Sequence, residues 1–129
     1  MKTEVLVIGG GLAGSLAALA AARSGRRVTL VSSGEATLHM ESGCIDLWGE
    51  GHDPGQAIAA LRQNRPGHPY ALAGGMALTE GLNLFLRLTR EAGYPYQGGL
   101  DHNWLLPTAI GGLKPTALVP PTMAAGEAG

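Results

Sequence analysis

The sequence is short of most residues that announce a function. It has one cysteine, Cys44, among 129 residues, which excludes an internal disulfide framework and any multi-cysteine zinc site. Aromatic residues make up only 5%, too few for a dense aromatic core. Basic and acidic residues nearly cancel, 9 against 10, and this argues against the clustered basic face that a nucleic-acid partner requires. The longest weakly polar run, "LAGSLAALAAA", is about half of a membrane-spanning helix. The start "MKTEVLVIGG" breaks at glycine and carries no cleavage pattern, so no signal peptide and a reducing, cytoplasmic setting are expected. His68 and His102 stand apart from carboxylates at metal-ligand spacing, so no metal site is expected. No Ser–His–Asp or Cys–His nucleophile system is recognisable. What the chain does hold is glycine, 21 residues of it, the mark of much special backbone geometry.

The pattern along the chain is that of an α/β protein. "EVLVI", residues 4–8, reads as a strand buried on both faces. Leu12 to Ser24 are good helix formers, with a stop at Gly25 and Arg23 near the C-terminal end. "RVTLV", residues 27–31, reads as a second strand, and the three elements make a βαβ unit. Residues 32–55 form a long polar segment whose Leu38, Met40, Ile45, Leu47 and Trp48 need burial. "DPGQAIAALRQN" predicts a helix with Asp53 as N-cap and Pro54 at the first position. "PGHPYALAGG" reads as a connection and "MALTEGLNLFLRLTREAG" as a long helix closing at Gly93. "HNWLLPTAIGGLKPTALVPPTM" predicts a hairpin with prolines at edge positions, and "AAGEAG" a frayed or cut end.

Gly9, Gly11 and Gly14 form G-x-G-x-x-G directly after a strand and at the start of a helix. In such a motif the first glycine permits the tight turn, the second lets the backbone approach a pyrophosphate, and the third allows close helix–strand packing. The free N–H groups at the helix start, on Leu12, Ala13 and Gly14, then face an anion. A tight turn without a ligand is the plainer alternative. Ala18, Gly25 and Val28 extend the match until the pattern resembles the fingerprint of FAD-dependent oxidoreductases of the glutathione-reductase type. There the second strand ends in a glutamate that binds the adenosine ribose. Here the position is Ser32, followed by Ser33. A hydroxyl bonds a ribose without charge assistance, which leaves room for FMN as well as FAD.

Three further stretches narrow the family. "VSSGEATLHMESGCIDLWG", "HPYALAG" and "LLPTAIGGLKPTALVPPTM" resemble the B subunit of anaerobic glycerol-3-phosphate dehydrogenase, with its LH-x-x-SG-x-x-DL loop and HPY-x-L. The resemblance implies a Rossmann-like FAD/NAD(P)-binding βαβ unit, incomplete, followed by helices and a β-hairpin. Residues 1–75 would be the N-terminal part of the flavin-binding domain, and 76–129 the beginning of a substrate or cap region. It further implies an FMN or FAD cofactor and sn-glycerol 3-phosphate as substrate, oxidised to dihydroxyacetone phosphate with electrons passed to the quinone pool. The partners implied are a flavoprotein A subunit, together with an iron–sulfur C subunit that attaches the pair to the inner membrane. Because members of that family are much longer, the chain is expected to be an N-terminal fragment, inactive in isolation. Two other readings stay open: another FAD-dependent oxidoreductase of the fumarate reductase or aspartate oxidase type, and a non-catalytic electron-transfer subunit.

The cofactor-binding candidates are therefore Gly9, Gly10, Gly11, Leu12, Ala13, Gly14, Ser32, Ser33, His39, Ser42 and Gly43. His39 is a candidate to bond flavin or substrate phosphate, the alternative being a loop histidine bonded to backbone. Covalent attachment, known for a histidine in the comparable loop of fumarate reductase-like proteins, meets a different spacing here. Ser42 and Gly43 are expected to offer backbone N–H groups near the isoalloxazine ring. Cys44 reads as a small buried side chain, and Asp46 as a cap or orienting group for the loop. Arg62, Arg65 and Lys114 are equally explained as surface cations or as contacts for a substrate phosphate. No catalytic base is identifiable.

Overall fold

A computed structural model describes residues 2–34, 36, 40–49, 51 and 53–127. The chain divides into two compact units, Met1–Ser42 and Gly43–Gly129.

In the first unit, β1 (Val5–Ile8) and β2 (Val28–Val31) pair in parallel, Val5 opposite Val28 and Ile8 opposite Val31. The helix α1 (Leu12–Arg23) connects them. Alanine-rich sequence favours this helix, and Gly25, at φ +82°, ends it in the left-handed region that glycine adopts without penalty. α1 covers one face of the pair, with Ser15, Ala18, Leu19 and Ala22 lying over Val28 and Leu30. The expectation of a strand buried on both faces is not met. Val5 and Val7 are half-buried, whereas Leu6 and Ile8 are 58% and 82% exposed. The period of two sends alternate side chains to opposite faces, and within the described residues of this unit only α1 forms a covering layer.

The second unit contains α2 (Pro54–Asn64), α3 (Pro69–Ala73), α4 (Gly75–Glu91), β3 (Gln97–Gly98), β4 (Trp104–Pro107), β5 (Leu113–Thr116), β6 (Leu118–Val119) and α5 (Pro121–Ala124). α2 starts as expected: the Asp53 carboxylate accepts from the Gln56 amide at 2.8 Å, and Pro54 occupies the first turn. β4 and β5 form the expected antiparallel hairpin, Trp104 opposite Thr116. Pro107 and Pro115 lie in this two-stranded sheet, where each strand has an open edge that tolerates a missing N–H. The core is built here, from Ile58 and Leu61 of α2, Phe85 of α4, Leu106 of β4 and the run Ala117–Val119.

Three features depart from the sequence reading. "HPYALA" is a helix start rather than a connection: His68 Nδ1 accepts from the Tyr70 amide at 3.3 Å, with Pro69 in the first turn. β3 and β6 form a short antiparallel pair that no local pattern signals, because two-residue strands carry no periodicity. α5 makes a helical turn of residues 121–124, of which 121–123 fall in the expected hairpin and only Ala124 in the stretch expected to fray; Ala128 and Gly129 lie outside the described residues. The sequence division at 75/76 and the structural division at 42/43 also differ. α2 packs on α3, and α3 on α4.

Candidate functional site

The candidate site lies in the first unit, at the carboxyl ends of β1 and β2. Gly9 takes φ +107°, a conformation that L side chains rarely adopt, and its amide donates to the Val31 carbonyl at 2.8 Å. That bond ties the turn to the end of the neighbouring strand. Gly14 faces back onto the same turn: a Cβ there would fall 2.0 Å from the Gly9 carbonyl oxygen and 3.5 Å from Val7 Cγ1. The third glycine therefore permits helix–strand contact in this protein.

Gly11 is different. Its dihedrals, φ −72° and ψ −178°, are open to any residue. A Cβ placed on it would meet no atom within 4 Å. Neither backbone strain nor protein packing requires glycine at this position, and what a side chain would obstruct is the space in front of α1. Gly11 is also the N-cap of α1, with no side-chain capping bond and no acidic residue in the first turn. Gly11, Leu12, Ala13 and Gly14 thus bring the positive end of a twelve-residue helix to an open mouth.

Gly9, Gly10 and Gly11 line a depression of about 400 Å³ together with Ile8, Val31, Ser32, Ser33, Gly34 and Ala36. The sequence candidates include five of these nine and miss Ile8, Val31, Gly34 and Ala36. The two strand ends could have been inferred from the βαβ pattern; Gly34, at φ +85°, lies in a turn that only the folded backbone reveals. Ser32 is packed against the glycine turn, since a Cβ on Gly10 would lie 2.8 Å from its Oγ. Its hydroxyl also donates to the Gly34 carbonyl at 3.5 Å. A mouth lined by backbone amides, glycines and hydroxyls, with no carboxylate among its described lining residues, has the donor set that holds phosphate. The residues present fit the phosphate of a flavin.

His39 lies outside the described residues. Ser42 does not line the depression, and Gly43 belongs to the second unit. There Gly43 takes φ +81°, and its carbonyl accepts from the Tyr96 hydroxyl at 2.9 Å. Burial, followed by the charges of Tyr94 and Cys44, raises the Tyr96 pKa. Lys114 is engaged by Asp46 at 2.8 Å, and the Arg62 guanidinium lies over Gly75, where a Cβ would come within 2.5 Å of Nη1. His68 is committed to the start of α3, stacked on Tyr70 and met edge-on by Trp48. Asp46 does orient its loop, as the sequence suggested, through Lys114 and the Thr116 hydroxyl.

Comparison with known proteins agrees with this chemistry. Residues 4–128 match the model of the FAD binding domain family, and the chain belongs to that family. Of the two flavins expected, FMN or FAD, this match supports FAD. Among curated proteins, the chain is 39% identical to the B subunit of anaerobic glycerol-3-phosphate dehydrogenase from Vibrio cholerae, covering 94% of this chain and 29% of the relative. It is 42% identical to a probable B subunit of the same dehydrogenase from Halobacterium salinarum, covering 99% and 30%. The Pasteurella multocida B subunit is 34% identical over 93% of this chain and 29% of its own length. The resemblance seen in the sequence motifs is thereby borne out, and the chain spans about three-tenths of the length of these relatives. No solved structure matches it.

Proposed function

We infer that this chain supplies the phosphate-binding part of the flavin site in a B subunit of an anaerobic glycerol-3-phosphate dehydrogenase. The first unit is read as the opening βαβ of a Rossmann-like fold. The observation that carries the reading is Gly11, a glycine that the protein's own backbone and packing do not require, at the uncapped mouth of α1. The names of the relatives support the reaction over that of fumarate reductase or aspartate oxidase. The substrate is sn-glycerol 3-phosphate, the product dihydroxyacetone phosphate, and the electrons go to the quinone pool. A flavoprotein A subunit, with an iron–sulfur C subunit, completes the complex at the cytoplasmic face of the inner membrane.

A bound flavin supplies the hydride acceptor. The chain's own residues do the holding. The amides of Leu12, Ala13 and Gly14 direct the helix dipole at the phosphate, Gly11 leaves the approach open, and Ser32 offers a neutral hydroxyl where a nucleotide ribose would lie. The isolated chain is inactive in this reading.

Titration of FMN and FAD into the chain, followed by quenching of flavin fluorescence, tests the site. Binding that Gly11→Ala weakens tenfold or more is expected; binding indifferent to that change places the phosphate elsewhere. Anaerobic addition of sn-glycerol 3-phosphate to a protein of the relatives' full length tests the reaction. Bleaching of its flavin in the absence of the flavoprotein partner supports the dehydrogenase. Bleaching only when that partner is present leaves this protein the role of an electron carrier.

A further inference from the structure

We propose that residues Gly43–Gly49 form a hinged strap, held shut on the second unit by the Asp46 carboxylate, which opens without parting the β3–β6 pair beneath it.

The segment has no helix or strand of its own beyond a bridge between Ile45 and Leu118. It is fastened by groups from elsewhere in the same unit. The Ile45 amide donates to the Leu118 carbonyl at 2.9 Å, and the Ile45 carbonyl accepts from Ala117 and Leu118 at 3.0 and 3.1 Å. Asp46 takes the Lys114 ammonium at 2.8 and 3.1 Å and the hydroxyl of fully buried Thr116. Its own side chain is 51% exposed, so this catch is open to solvent. At the end of the segment, Asn103 Nδ2 donates to the Gly51 carbonyl at 2.7 Å and to the Gly49 carbonyl at 3.4 Å, and gives the chain a fixed anchor there.

Both ends of the segment are glycines in the left-handed region, Gly43 at φ +81° and Gly49 at φ +120°, where large changes of backbone dihedral cost glycine little. The strand beneath keeps its other partner when the strap leaves. On that side the Gly99 amide donates to the Ala117 carbonyl at 3.0 Å, and Gln97 pairs with Val119. Ala117 is thus bonded to the strap through its N–H and to the Gly99 amide, next to β3, through its carbonyl, whereas Leu118 meets the strap through both its N–H and its carbonyl. Local opening of a segment fastened in this way is separable from opening of the sheet. It would free the Lys114 ammonium and the Thr116 hydroxyl on β5.

Amide hydrogen exchange of the chain tests this, with Asp46→Ala and Lys114→Met as variants. Exchange at Ile45, Ala117 and Leu118 should quicken tenfold or more in Asp46→Ala and at least twofold in Lys114→Met. Gly99 and the amides of α4 should keep their wild-type rates. If Gly99 quickens with the other three, the strap and sheet open together and the proposal is wrong. Unchanged rates at Ile45 in both variants also overturn it. If Asp46→Ala does not fold, Lys114→Met decides by the same comparison, since that variant keeps the Asp46–Thr116 bond and the aliphatic stem.

Discussion

Gly14 lies so close to Gly9 that a Cβ on the first would come within 2.0 Å of the carbonyl oxygen of the second. The obstacle is backbone held by the Gly9–Val31 hydrogen bond, so it cannot swing aside as a side chain would. Gly14→Ala should cost about 1–3 kcal/mol, the usual range for overpacking, read as a fall in the urea midpoint of the first unit. Gly11→Ala should cost no more than about 1 kcal/mol, the scale of a changed N-cap. The same two proteins should reverse in rank when losses are measured in flavin affinity relative to stability. An equal ratio for both would remove the distinction between a packing glycine and a ligand-facing one.

Ser32 and Gly10 are matched across the mouth of the site, and the hydroxyl at 32 carries no charge. Ser32→Glu should restore a charge-assisted bond to an adenosine ribose, worth about 1.5–3 kcal/mol. Affinity for FAD should then rise roughly tenfold or more while that for FMN stays within about twofold. Parallel titrations of the two flavins check this, and equal changes for both would mean that Ser32 does not face the ribose.

Asp53 closes the N-terminus of α2 by accepting from the Gln56 amide at 2.8 Å, while its second oxygen holds Gln56 Nε2 at 2.8 Å. Asp53→Ala should destabilise the second unit by about 1 kcal/mol. Asp53→Asn and Asp53→Ser should recover most of that loss. Urea denaturation followed by circular dichroism measures all three, and no loss in the alanine variant would show that Pro54 alone sets the helix start.

Tyr96 couples the second unit to alkaline pH. Burial raises its folded pKa above the unfolded value of 10.0. A phenol with a raised folded pKa binds its proton more tightly in the folded state, so stability is fully present below about pH 10 and falls as pH rises through the folded value. Tyr96→Phe should abolish this part of the alkaline decline while losing the hydroxyl bond to Gly43. Denaturation midpoints between about pH 9 and 11 check it; parallel declines in the two proteins would assign the effect to other groups.

Much of the first unit is legible because its signals are local. A branched apolar run, three spaced glycines, an alanine-rich stretch and a second apolar run each specify backbone conformation within a few residues. The Asp53–Pro54 start of α2 and the Gly-Gly turn of the hairpin are legible for the same reason. "HPY" reads as a family mark rather than as a helix start, since histidine is an unusual cap. The partner of Gly43 is not legible in this way. The Gly43 carbonyl is engaged by Tyr96, 53 residues away, and contacts at that separation leave no trace in local pattern.

The sequence by itself determined where the chain turns and which helix end lies open, because φ freedom at glycine, capping by aspartate and the period of apolar residues act over one or two turns of backbone. Tertiary structure alone decided that Ser32 meets Gly10, that Tyr96 holds Gly43, and that Asp46 is committed to Lys114 and Thr116. Those outcomes depend on distances between atoms far apart in the chain, and such distances exist only after the backbone has closed on itself.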